Sequence, residues 1–269
     1  MSRWLGITHI PSPALDQGER TYIGHDAIDG RLAKQQHEQY CNALRRCGVE
    51  ITMLDVNRDM PDCVFVEDTA LVLDEIAVMM SPGAESRRGE PAGIEPELRK
   101  HRDILRVAFP ATIDGGDVVR SGKDIYVGVS ERTNPAGIDA LRKLIRQFGY
   151  SVTGVPVHGC LHLKSACSTL PDGRFLVNRN WIDVSPLPSD LLVQVPDAEQ
   201  WAGDVLVIDN NIIASDAFPE TIELLARERF DMVPVSVSEF AKAEGGVTCM
   251  SLVFRPRATG ASPSGASAA

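Results

Sequence analysis

A chain of 269 residues with 43% hydrophobic and 24% charged content has material for a full core and the composition of a soluble globular protein. Its 37 acidic against 27 basic residues, a net charge of −10, argue against a nucleic-acid binder and favour a cationic ligand. No stretch reaches the roughly 20 apolar residues of a membrane span, and the N-terminus lacks a signal-peptide run. The six scattered cysteines form no C-x-x-C pair, which excludes a disulfide framework or structural zinc and leaves a reduced, cytoplasmic protein.

In chain order, the first element is a strand in "RWLGITHI" (residues 3–10), followed by a helical pattern over residues 33–47. "VEDTALVLDEIAVMM" (66–80) reads as a hairpin turning at Asp74-Glu75, and "DGGDVVRSGKDIYVGVS" (114–130) as another turning at residues 121–124. A helix is predicted over 137–148, then a third hairpin in "KSACSTLPDGRFLVN" (164–178), turning at residues 171–173. "AGDVLVIDNNIIAS" (202–215) gives a fourth hairpin, a helix follows over 219–229, and "GGVTCMSLVF" (245–254) opens a fifth pair that the N-terminal strand could complete. The units recur at roughly 40 to 50 residues, the spacing of propeller blades or similar arrays. The expectation is one domain of about five ββα-type units around a central axis. A doubly wound sheet competes, but no G-x-G-x-x-G turn supports it. The low-complexity residues 257–269 read as a disordered tail behind a single domain spanning 1–256.

Several units open with polar residues just before the first strand: Glu67-Asp68, Asp114 to Asp117, His162 with Lys164-Ser165, and Thr248-Cys249. If the first strands aim one end at a common axis, these starts converge on one site. A thiol, an imidazole and a carboxylate make an activated nucleophile. Cys249 read as a packed core thiol and His162 as a satisfied core histidine are the competing structural readings. Acids bordering apolar runs, Asp62, Glu67 and Asp68 in "PDCVFVED" and Asp114 and Asp117 in "TIDGGD", are costly unless paired. They suggest a pocket for a cation, with a hard-metal site as the alternative. For Asp117, closing the Gly-Gly turn is the preferred role.

The segments "PDCVFVEDTA", "PGAESRR", "TIDGGDVV", "VGVSERTN", "HLKSACS" and "EGGVTCMS" resemble, in order, the signature segments of the dimethylarginine dimethylaminohydrolase family. That family sits in the guanidino-group-modifying superfamily with arginine deiminases and amidinotransferases, and the resemblance runs from about residue 8 to residue 254. It implies an α/β fold, a five-bladed ββαβ propeller with pseudo-fivefold repeat and a central active site. It further implies hydrolysis of Nω-methylated arginines to citrulline and the methylamine through a covalent thiouronium on Cys249. His162 would be the general acid/base and Asp114 its supporting acid. Asp68 would grip the guanidinium with Glu67 in the same pocket, while Asp62, Arg87 and Arg132 would hold the amino-acid end. Leu15 would lie on a mobile loop over the site, and Cys63, Cys160 and Cys167 stay structural. No cofactor or metal is implied, and neither is a nucleic-acid or membrane partner. The substrate is a small cationic amino acid, with a homodimer left open as the assembly. Arginine deiminase, or hydrolysis of another guanidino compound, is the alternative activity.

Overall fold

The computed structural model describes residues 3–257, so the tail expected at 257–269 lies, beyond Arg257, outside the described residues. Fifteen strands are described, and they form five three-stranded sheets. The first sheet in the chain joins β1 (Trp4–His9), β2 (Val49–Leu54) and the last strand, β15 (Leu252–Phe254), in the order β15-β1-β2. The others follow consecutively: β3 (Ala70–Val72), β4 (Ile76–Met79), β5 (Asp103–Arg106); then β6 (Val118–Ser121), β7 (Asp124–Val129), β8 (Ser151–Pro156). The last two comprise β9 (Cys167–Thr169), β10 (Phe175–Val177), β11 (Leu192–Gln194), and β12 (Leu206–Ile208), β13 (Asn211–Ser215), β14 (Asp231–Val235).

Every sheet repeats one rule. The middle strand pairs parallel with the strand after it and antiparallel with the strand before it, a place taken in the first sheet by β15 from the far end of the chain. The antiparallel step needs only a short turn, and the parallel step needs a crossover. The crossovers are α1 (Gly30–Arg46), α2 (Glu90–Leu98), α3 (Pro135–Ile145) and α4 (Pro219–Arg227). The fifth crossover, between β10 and β11, carries only a short 3-10 turn at Ser189–Leu191. A further short helix, α5 (Ser238–Ala241), precedes the final strand.

The four expected hairpins stand where the turn residues put them. The helices α1 and α3 start earlier than the apolar periodicity, because their caps are polar: Asp29 accepts from the N–H groups of Arg31 and Leu32, and Asn134 from that of Gly137. The helix α2 was not expected from the sequence. Its Pro91 sits in the first turn, where proline is tolerated, but Gly93 and Pro96 disguise the rest. Ile94 and Leu98 nevertheless bury fully against Ile7, Ala77 and Leu252.

The apolar clusters join elements of neighbouring sheets. Ile138, Leu141 and Ile145 of α3 cover Ile125 and Val127 of β7, while Ala33, Tyr40 and Leu44 of α1 share a cluster with Phe240, Val247 and Met250. Burying each such side chain contributes about 1.5–3 kcal/mol. Neighbouring sheets touch through their first strands, β15 beside β3 and β6 beside β9.

Candidate active site

Four short irregular segments, each just ahead of a sheet's first strand, deliver the chemistry. A 3-10 turn at Val66–Thr69 precedes β3 and carries Glu67 and Asp68. Asp114 leads the turn Gly115–Asp117 ahead of β6, and His162 leads the turn Leu163–Ser165 ahead of β9. Cys249 lies in the loop that ends at β15. The fifth first strand, β12, is preceded by Asp204, a buried acid that the sequence reading did not nominate. Its position in "AGDVLV", equivalent to the other four starts, is the signal that could have found it.

Asp62, Asp68, Arg87, Arg132, His162 and Cys249 line one small cavity of ≈20 Å³. His162 Nε2 stands 3.1 Å from Asp114 Oδ2, and its Nδ1 stands 3.9 Å from Asp68 Oδ1. Both acids are themselves held: Asp114 Oδ1 accepts from the N–H of Gly83 at 2.8 Å, and Asp68 Oδ1 from that of Gly116 at 2.9 Å. Gly116 has a steric reason. A Cβ there would lie 2.6 Å from His162 Nδ1 and 2.7 Å from Asp68 Oδ1, so only glycine lets the backbone approach both.

Electrostatics divide the cavity's groups. Burial disfavours the charged imidazole of His162, but the carboxylates of Asp68, Asp114 and Asp117 outweigh it and raise its pKa to about 9. Burial likewise opposes ionisation of Asp68, yet His162 and Arg87 prevail and hold it at about 2. Cys249 goes the other way. Burial first, then the carboxylates of Asp204, Glu67 and Asp68, push its thiol well above the ordinary range. The N–H of Gly246 points at its Sγ at 3.4 Å and is the opposing influence. At neutral pH the free site therefore holds a thiol beside an imidazolium.

Asp117 is tied in more firmly than a turn-closing role requires. Its Oδ1 accepts from the N–H of Leu163, and its Oδ2 from the hydroxyls of Ser130 and Thr133. It thus joins the segment carrying His162 to the loop carrying Arg132, and burial raises it to about 6. Cys160 donates to the carbonyl of His162 at 3.2 Å, while burial raises Cys63, Cys160 and Cys167 all to about 12. These three thiols are packing groups.

Three placements depart from expectation. Glu67 does not share the small cavity with Asp68: successive residues of a 3-10 turn project about 120° apart. Its carboxylate instead accepts from Lys164 Nζ at 2.5 Å and from the Thr248 hydroxyl at 2.8 Å, and its N–H donates to the carbonyl of Cys249. Glu67 thereby anchors the loop of Cys249. Arg87 lines the cavity, but its donors are taken by protein groups: Glu90, Asp68 Oδ2 at 2.5 Å and the carbonyl of Phe65. As placed, it supports Asp68. Leu15 is 2% exposed in a 3-10 turn, packed in the cluster around Tyr40 and Phe240, with its carbonyl taken by Gly18. It is absent from the cavity lining, and the side chain that this segment sends there is Glu19.

Arg132 is different. Its guanidinium has no hydrogen-bond or ion-pair partner among the described residues, although the side chain is largely buried. Asp62 accepts from the N–H of Glu19, and burial raises its carboxyl.

Asp68, Asp114 and His162 also offer ligand atoms within 4.8 Å of one another, the one metal-compatible grouping among the described residues. The donors already present fit poorly with a cation. His162 Nε2 is directed at Asp114, and Arg87 occupies Asp68 Oδ2. This set reads as a charge-balanced proton-transfer group.

The profile of the family described as "N,N dimethylarginine dimethylhydrolase, eukaryotic" matches residues 20–166. A dimethylarginine dimethylaminohydrolase of Streptomyces coelicolor is 41% identical over 250 residues, covering 93% of this chain and 96% of the relative. Its counterpart in Pseudomonas aeruginosa is 33% identical over 251 residues, covering 92% and 98%. A solved structure of the Pseudomonas aeruginosa protein, a cysteine-to-serine variant complexed with citrulline, superposes with a TM-score of 0.87 at 31% identity, covering 94% of this chain and all of the other.

Proposed function

The chain belongs to the dimethylarginine dimethylaminohydrolase family, and from that membership we propose that it hydrolyses Nω-methylated arginines to citrulline and the methylamine. The observation that carries the reading is the single cavity shared by Cys249, an imidazolium at His162, the carboxylate of Asp68 and the unpartnered cation Arg132.

Asp68 attracts the guanidinium of the substrate, and Arg132 the α-carboxylate, by a charge-assisted and geometrically matched contact. Asp62 faces the α-ammonium, and Arg87 keeps Asp68 ionised and oriented. The positive substrate reverses the electrostatics at Cys249, where three carboxylates otherwise oppose the thiolate. As the substrate binds, the Cys249 thiol gives its proton to solvent, the thiolate attacks the guanidinium carbon, and the C=N electron pair moves to nitrogen. His162 then gives its proton to the methylated nitrogen, the C–N bond breaks, and the neutral amine departs. The thiouronium left on Cys249 is attacked by water, whose proton goes to the now neutral His162. The C–S bond breaks, the hydroxyl proton of the adduct passes to the departing sulfur, and citrulline and the thiol result. Asp114 holds the imidazole at Nε2, which leaves Nδ1 for proton transfer.

A propeller arrangement of the five sheets is part of the same reading. It is supported by a second cavity, of ≈470 Å³, lined by residues from the first strand of every sheet: Val72, Val119, Thr169, Val207 and Val253. Glu67, Lys164 and Thr248 also line it, so their polar contacts form a partition between this axial space and the catalytic cavity. A cytoplasmic setting is supported by six free thiols.

The test is citrulline release from asymmetric dimethylarginine, monomethylarginine and arginine, and N-carbamoylputrescine release from agmatine, with Cys249→Ser as control. Release from the methylated substrates, absent in the variant, is expected. Activity confined to arginine would assign a deiminase instead.

A further inference from the structure

A third cavity, of ≈350 Å³, lies behind the nucleophile's loop and has no part in the reaction above. Trp201, Phe218 and Val237 build its apolar wall, and Asp204, Asp216 and Glu244 its acidic one. Among its described lining residues there is no lysine, arginine or histidine. Glu244 and Gly245 line this cavity and the catalytic one alike, so they form the wall between them.

Glu244 is the unusual member. It is 8% exposed, and its φ of 59° lies in the left-handed region that glutamate rarely adopts. Its Oε1 accepts from the N–H groups of Tyr22 and Ile23, while its buried Oε2 has no hydrogen-bond partner among the described residues. A buried carboxylate oxygen without a donor is a cost that a folded chain ordinarily avoids. A strained backbone that keeps such a group in a cavity wall points to a ligand that satisfies it.

We propose that this cavity binds a small organic ammonium ion, with its charged head at Glu244 Oε2 and its apolar body against Trp201 and Phe218. The sign of the charge follows from a lining that offers three acidic side chains and no basic one among the described residues. The aromatic faces favour the same choice, since a cation over an indole or phenyl ring is attracted by its quadrupole. The volume admits an aralkylammonium and leaves ample room for a simple alkylammonium. Alkylamines of the kind released by methylarginine hydrolysis belong to this class, but binding here does not require turnover.

The test uses phenethylammonium as probe and phenethyl alcohol as its neutral counterpart, with the full chain, followed by saturation-transfer NMR and tryptophan fluorescence. The ammonium is expected to bind at least tenfold more tightly than the alcohol, in the presence or absence of saturating citrulline. Ala217→Trp, which fills the cavity from outside the catalytic machinery, is expected to weaken the ammonium at least tenfold and to retain citrulline formation. Glu244→Gln is expected to weaken it to a similar degree, and the exposed Asp216→Asn about threefold, which serves if the Glu244 variant does not fold. Equal binding of the alcohol, unchanged binding by Ala217→Trp, or displacement of the probe by citrulline would each overturn the site.

Discussion

At His162 two large influences oppose each other, and the carboxylates win. Desolvation alone would leave a neutral imidazole, but Asp68, Asp114 and Asp117 keep it protonated up to about 9. Because the folded value is raised, this group's contribution to stability is complete below its ordinary value near 6.5 and is lost as pH rises through about 9. The rate follows the same proton, since the leaving amine needs it. We expect kcat/KM to fall above pH about 9, and NMR titration of the free protein to place the imidazole near that value. A titration near 6.5 would contradict the assignment. Asp68→Asn removes the largest favourable charge, so it should lower the His162 pKa and cost about 10²–10⁴-fold in kcat. Gly116→Ala drives a methyl group toward His162 Nδ1 and Asp68 Oδ1, and should cost a comparable factor with the thermal midpoint little changed. Arg132→Ala should raise KM for methylarginines about 10- to 100-fold, and far less for simple alkylguanidines. Equal effects on both would remove Arg132 from the carboxylate.

The elements that matter most are the short turns before the first strands, and their ties are to one another. Glu67 shows why. It anchors the loop of Cys249 through Thr248 and its own N–H, and it pairs with Lys164 from the segment after His162. Removing the half-buried Lys164 leaves the buried Glu67 carboxyl without its strongest partner, so Lys164→Met should destabilise the fold by about 1–3 kcal/mol in urea unfolding. Glu67→Gln combined with Lys164→Met should cost less than the sum of the single changes. Additive costs would show that the partition carries no coupling. Sequence reading caught Glu67 as a neighbour of Asp68, but adjacency in a 3-10 turn says nothing of which side each side chain faces. Arg87 posed a similar problem: Glu90, three residues on, competes for its guanidinium, and an i,i+3 pairing inside a proline-rich segment gave no helical signal. Leu15 was placed by resemblance alone, and its apolar side chain found the core.

At the scale of the whole molecule, one pairing rule used five times brings distant parts of the chain together. Residues 62–68, 114–117, 160–165 and 243–249 meet because each stands just ahead of the first strand of its sheet, and residues 130–133, which follow the middle strand β7, join them. This part was legible. Hairpins announced by Asp74-Glu75 or Pro171-Asp-Gly173 are local, and a polar start before an apolar strand is visible in the letters. The parallel third strands were not, since β2, β5 and β11 are half-exposed and are positioned by the crossover that returns the chain. Asp204 and Glu244 also escaped notice. For Glu244 the informative features are its burial and its unmatched Oε2, and neither is written in the sequence, whereas Asp204 stands just ahead of a first strand as the other four starts do.

The covalent role of Cys249 ties residue, loop and fold to one outcome. Asymmetric dimethylarginine mixed with the protein, quenched in acid within the first turnover and examined by peptide mass spectrometry, reads that role without assuming the rest. A mass increase on the peptide containing Cys249, equal to the substrate less dimethylamine and absent from Cys249→Ser, is the predicted result. Steady citrulline formation with no adduct on that peptide, or undiminished turnover by Cys249→Ser, would contradict it.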